Sequence, residues 1–171
     1  MDFLELVESR YSVRDYQDKA IEEDKMALIL KAGQLAPTAA NKQPQKIYIL
    51  KSQAALEKIR SITRCAFNAP VVLMFAYDGE LDWKNKYQEG IHAGEQDVSI
   101  VATHMMLEAA NLGIGSCWVN AFANDQAKAA FNLPTPEQVV LLMPLGYASS
   151  EATPSVMHST YRDQHSIVEV K

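Results

Sequence analysis

Between Glu95 and Leu112 the chain carries apolar residues over more than one face of a helix. Val98, Val101, Met105 and Leu112 form one stripe, while Ile100, Met106, Leu107 and Ala110 carry apolar character further round. A helix apolar on more than one face must be covered on more than one face. In a chain of 171 residues that cover comes either from the chain's own core, with the helix at its centre, or from another subunit. The pattern alone leaves both open.

The remaining segments supply layers for such a helix to pack on. Phe3, Leu6 and Val7 have helical spacing, and a second helix is expected over 22–35 with Met26, Ile29, Leu30 and Gly33 on one face. It should stop before Pro37, because a residue preceding proline is pushed out of the helical region. Ile47 to Leu50 reads as a strand, Ala54 to Arg64 as a surface helix, and Val71 to Tyr77 as a buried strand. Asp78 to Gly94 is a polar connection holding Trp83 and Tyr87, long enough to cover a site. After the turn at Gly113 and Gly115 a strand is expected near 116–119, a helix near 125–131 and a strand over 139–143. The tail from Ala148 reads as loop with a possible strand at 167–170, and it needs something to dock against. Helices and strands mix without strict alternation, so the fold class is α+β, in one domain spanning 1–171.

Charge and motif content narrow the function. A net charge of −5 disfavours a broad nucleic-acid footprint and an acidic membrane surface. The longest apolar runs, 69–76 and 139–145, are far below the ~20 residues that span a bilayer. Asp2 and Glu5 stand where a signal peptide would carry basic residues, so a cytoplasmic protein is expected. Cys65 and Cys117 have no zinc-like spacing, and each reads as a structural thiol. His92, His104, His158 and His165 show no metal-ligand spacing and read as surface or capping residues. Gly113-x-Gly115 follows a helix and precedes a strand, the reverse of a dinucleotide fingerprint, which excludes a Rossmann site.

Four short segments could carry chemistry. In extended chain Arg10, Ser12 and Arg14 face one side, and two guanidiniums with a hydroxyl make a phosphate cradle. Taken alone, RxSxR reads as solvated surface charge. Pro37-Thr38-Ala39-Ala40-Asn41-Lys42-Gln43-Pro44 combines small residues, which let backbone approach a flat ligand, with amides that both donate and accept. Taken alone, it reads by a narrow margin as an ordinary polar loop between helix and strand. The stretch from Gly115 through Trp118 and Asn120 to Ala121, and Pro144-Leu145-Gly146-Tyr147, could each simply end a core strand.

In register, RxSxR, APTAANKQP, DVSIVATHMMLEAANLGIGSCWVN, MPLGY and the late Arg162 resemble the nitroreductase family over nearly the whole chain. The resemblance implies an α+β fold with a central mixed, mainly antiparallel sheet flanked by helices. It also implies an interlocked homodimer with two FMN molecules at the interface. By motif, Arg10, Ser12 and Arg14 would hold the FMN phosphate and ribityl end, Arg14 also reaching toward the pyrimidine side, and Arg162 would close the phosphate site. Pro37, Thr38 and Ala39 would come from the other subunit against the ring, and Asn41 and Gln43 would address its edge. The backbone of Asn120 and Ala121 would lie by flavin N5. Tyr11, Trp118 and Gly146 fall inside the matched motifs and complete the expected cofactor-binding set.

The implied activity moves hydride from NADH or NADPH through flavin N5 to a small acceptor such as a nitroaromatic or quinone, the two substrates alternating over one flavin face. The flavin carries the redox chemistry, so no catalytic side chain and no metal is expected. Gln45 stands where the family often has an aromatic, a departure that bears on packing rather than on FMN binding. Three alternatives stand beside this: specialised flavin chemistry on the same fold (dehalogenation or flavin breakdown), a non-catalytic flavin-binding redox sensor, and a purely structural dimer.

Overall fold

The computed structural model describes residues 2–171. The elements in order are α1 (Phe3–Ser9), α2 (Glu23–Leu35), β1 (Gln45–Leu50), α3 (Gln53–Ile62), β2 (Val71–Asp78), α4 (Gly94–Asn111), β3 (Gly115–Ser116), α5 (Asn124–Ala130) and β4 (Glu137–Gly146). The sheet runs β1-β2-β4-β3 with every strand pair antiparallel, and the mixed character rests on one parallel bridge, Ser12 to Ser116.

β2 explains why a strand of VVLMFAY composition sits at the centre. Its side chains alternate between two cores, so both faces need to be apolar. Val71, Leu73, Phe75 and Tyr77 join Ile29, Val98, Val101 and Met105 beneath α2 and α4. Val72, Met74 and Ala76 join Leu56, Ile59 and Ala127 beneath α3 and α5. A register shift between Phe75 and Ala76 lets Leu141 and Val139 both pair with β2. α4 therefore lies on one face of the sheet and turns Val98, Val101, Ala102, Met105 and Ala109 into it. Its other side keeps Ile100 exposed, with Ser99, Thr103 and His104 lining a shallow depression beside it.

Gly33 and Gly94 are among the glycines that mark where backbone and side chain approach too closely for a Cβ. A Cβ on Gly33 would come 2.6 Å from Met105 Sδ, so α2 and α4 are in tight contact there. A Cβ on Gly94 would come 2.4 Å from the Tyr77 ring, which is buried and cannot swing aside as a methionine end can. Gly94→Ala is expected to destabilise the fold by about 1–3 kcal/mol, the usual cost of overpacking. Urea unfolding of both proteins checks this, and an unchanged midpoint would show that the ring relaxes freely.

The strand expected at 167–170 does not form. The last hydrogen-bonded turn is Gln164–Ser166, and Ile167, Val168 and Val170 are 64%, 57% and 93% exposed. A strand needs an edge to satisfy its N–H and C=O groups, and within this chain the tail meets none. The strand expected at 116–119 is likewise reduced to Gly115–Ser116 plus a bridge from Val119 to Leu142. Among the described residues no helix is long and apolar enough to cross a membrane.

Candidate functional site

The chain following α1 runs extended, and Val13 N–H donates to Ser116 O at 2.9 Å. This stitches the RxSxR segment to β3, so Arg10, Tyr11, Ser12 and Arg14 line one groove of about 250 Å³ together with Ser155, Met157 and His158 of the tail. Arg14 donates to Ser12 O at 3.2 Å, and Tyr11 stacks edge-on against His158 with ring centres 6.3 Å apart. Among the described residues neither arginine pairs with a carboxylate. Ser116 Oγ, buried where β3 meets the segment, has no hydrogen-bond partner. Two guanidiniums without a carboxylate partner fit a phosphate monoester, and the Ser116 hydroxyl lines an adjoining cavity that Arg10 and Tyr11 share.

Trp118, Asn120 and Ala121 follow directly on the same edge. Trp118 Nε1 donates to Asn120 Oδ1 at 3.2 Å, and Thr63 Oγ1 donates to Ala121 O at 2.7 Å. Thr63 is buried and so fixes that backbone from behind. Gly146 pairs with Gly115 at the end of the sheet, and a Cβ there would come 2.8 Å from Pro70. Cys117 is buried, as a structural thiol should be, and burial pushes its pKa up.

The 37–44 loop lies elsewhere. It turns through a short 3-10 segment, Ala39–Asn41, in which Ala39 N–H donates to Asp97 Oδ1 at 2.8 Å. Gln43 N–H donates to Thr38 Oγ1 at 3.0 Å. Ala40, Asn41 and Gln43 have φ of 49°, 54° and 50°, three left-handed non-glycine residues in four positions. Each such residue costs on the order of 1–3 kcal/mol and persists only where its surroundings over-determine it, a pattern that gathers at ligand clamps. Asp97 is in the first turn of α4, whereas Arg10 and Tyr11 share a second cavity with Ala110 and Gly113 at its far end. Asp97 and the end of α4 at Asn111 are separated by fourteen residues of helical rise, roughly 21 Å.

Within one chain, then, Arg10, Tyr11, Ser12 and Arg14 line one groove, while Trp118, Asn120 and Ala121 continue from β3 along β4, where Val119 bridges Leu142, and Gly146 pairs with Gly115; Pro37, Thr38, Ala39, Asn41 and Gln43 do not line the groove. Arg162 is exposed in the tail, donates to Ser166 O at 3.4 Å, and lies outside the groove at Arg10. His158 stands in the groove rather than on open surface, and His92 contacts buried Asp82 at 2.9 Å. Sequence reasoning missed Ser155, Met157, His158, Thr63 and Asp97. Only Asp97 left a signal: it is a lone acid within the buried stripe of α4 that also holds Gly94, Val98 and Val101. Among the described residues no three metal-ligating side chains gather.

The fold and site together define an α+β protein with an arginine-lined groove at one end of its central helix and a small-residue loop of left-handed backbone at the other. Residues 7–68 and 63–147 match the profile of the Nitroreductase family, and the chain belongs to that family. A relative from Archaeoglobus fulgidus, provisionally named an NADH dehydrogenase/NAD(P)H nitroreductase, is 30% identical over 86% of this chain and 86% of its own length. A nitroreductase family protein of known structure from Clostridium difficile 630 superposes with a TM-score of 0.92 at 31% identity, covering 99% of this chain and 98% of that one. An FMN-dependent nitroreductase from Clostridium difficile R20291 superposes with a TM-score of 0.76 at 25% identity over 98% of each chain.

Proposed function

We propose that this protein is a homodimeric, FMN-dependent NAD(P)H oxidoreductase of a single domain, whose acceptor is a small oxidised molecule such as a nitroaromatic or quinone. The observation that carries the reading is the division of the site between the two ends of α4. The loop at Asp97 and the arginine groove stand roughly 21 Å apart along α4, and we read them as two halves of one site supplied by different subunits. Two copies with antiparallel α4 helices would bring the loop of one to the cradle of the other.

The surface supports that pairing. The chain exposes 10458 Å², against about 8,400 Å² expected for a self-contained protein of its mass. The excess includes Val156, Met157, Tyr161 and Val170, all more than 65% exposed on a tail with little of its own chain to lie on. An unpartnered apolar tail and the open side of α4 are what a partner subunit would cover.

In this arrangement Arg10, Ser12 and Arg14 would hold the phosphate, with Arg162 closing over it, while Tyr11, Gly146 and Trp118 shape the channel beside it. Pro37, Thr38 and Ala39 of the second subunit would lie against the ring, and Asn41 and Gln43 would address its polar edge. The backbone of Asn120 and Ala121, held by Thr63, would border N5. When bound, FMN supplies the hydride chemistry between nicotinamide and acceptor. The protein's part is to bind, orient and admit two substrates in turn, which requires no side-chain acid or base.

The test is the visible spectrum of the purified protein before and after anaerobic NADH or NADPH. A flavin spectrum that bleaches with either nucleotide is expected. A flavin that stays oxidised with both would leave a redox sensor or a specialised flavin chemistry, and a colourless protein that refuses FMN would end the reading.

A further inference from the structure

An open cavity of about 500 Å³ between α3, the chain at 16–18 and the turn at 67–70 shares no lining residue with the groove at Arg10. Its lining includes Arg60 and Lys51, one acid, Asp18, and the amides of Asn68, Gln17 and Gln53, of which Gln17 donates to Ala148 O and Gln53 to the Glu57 carboxylate. On a chain of net charge −5 this is a local inversion of sign. Among the described residues neither Arg60 nor Lys51 is ion-paired, and Asp18 pairs with neither.

Arg60 is the centre of it. Gln53, Leu56 and Arg60 fall on one face of α3 by their three- and four-residue spacing, with Leu56 buried as the floor. Arg60 Nη2 donates to Ala69 O at 3.1 Å, which orients the guanidinium, while its Nε is buried and has no partner. A buried donor left unpaired is costly, and the guanidinium fork matches an oxyanion. Lys51 and Gln53 stand at the start of α3, where the helix dipole adds positive potential, while Arg60 stands in its last turn, where its own charge offsets the negative end. Asn68 and Phe67 both hold left-handed backbone, φ 54° and 49°, at the turn that delivers Asn68 to the cavity.

We infer that this cavity is a second anion site, taking the phosphoryl or carboxylate group of a small molecule on Arg60 and Lys51, independently of the flavin site. The test follows the Arg60 Nε–H resonance while FMN-loaded protein, its cradle already filled, is titrated at fixed ionic strength with inorganic phosphate and separately with acetate. Saturable shifts at Arg60 and Asn68 are expected, weakened at least fivefold by Lys51→Ala and abolished by Arg60→Ala. Tighter phosphate assigns a phosphorylated ligand, and acetate binding as tightly assigns a carboxylate. Because Arg60→Ala also removes the Ala69 contact, the exposed Lys51→Ala variant carries the test if the first fails to fold. No saturable shift with either anion, or saturation indifferent to Lys51→Ala, overturns the proposal.

Discussion

Arg10→Ala is expected to weaken FMN binding by about ten- to a hundredfold while leaving riboflavin binding nearly unchanged. Loss of a hydrogen bond to a charged group costs about 1.5–3 kcal/mol, and each 1.4 kcal/mol is tenfold in affinity. Arg10 is half-buried and its guanidinium has no carboxylate to fall back on, so little compensates its removal. Arg14 is more exposed and already donates to Ser12 O, so Arg14→Ala should cost less. The contact is partly open to solvent, so the gap between wild type and variant should narrow at high salt. Fluorescence titration of the apoprotein with FMN and with riboflavin reads both quantities. Equal losses for the two ligands would make Arg10 a structural residue, and no loss for FMN would displace the phosphate from this groove.

The second large effect is at Asp97. Its carboxylate is 2% exposed; one oxygen accepts from Ala39 N–H, and the other has no partner. An unpaired buried carboxylate is expensive in general. It is tolerated here at the start of α4, where the helix dipole favours negative charge. What it holds is the loop with three left-handed residues, whose strain must be offset by contacts of this kind. Asp97→Ala should lower stability by about 1.5–3 kcal/mol, the scale of one charge-assisted hydrogen bond. It should also weaken FMN and riboflavin alike, because the loop is proposed to meet the ring and not the phosphate. Asp97→Asn keeps an acceptor and should lose less of both. Urea unfolding of the apoprotein with the same two titrations decides it; a variant as stable as wild type that binds both flavins normally would show the loop holds itself.

These two residues also show what was legible in advance. Arg10 announced itself through the spacing of Arg10, Ser12 and Arg14, because alternation along an extended chain is a local property. Asp97 did not, because its meaning depends on Ala39, fifty-eight positions away, arriving at the first turn of α4. The same holds for Thr63 behind Ala121 and for Arg60, whose unpaired Nε is visible only once Ala69 and the turn at Asn68 are in place. The tail strand at 167–170 failed for the complementary reason: its residues suit a strand, but strand formation is a property of a pair of edges and the chain supplies only one.

The sequence by itself determined the α+β class, the helices and the three longer strands near their observed positions, and the order of motifs that marks the nitroreductase family. The class and the elements follow from short-range periodicity and proline restrictions, which act over a few residues, and the family rests on the resemblance of the motifs in order. Tertiary structure alone decided that the two halves of the proposed flavin site lie at opposite ends of α4. Packing α2 against α4 through Gly33 and Met105 carries the 37–44 loop to Asp97, and pairing β3 with β4 carries the arginines to the other end. Distance across a fold is set by which surfaces pack and in what register, and no local pattern encodes it.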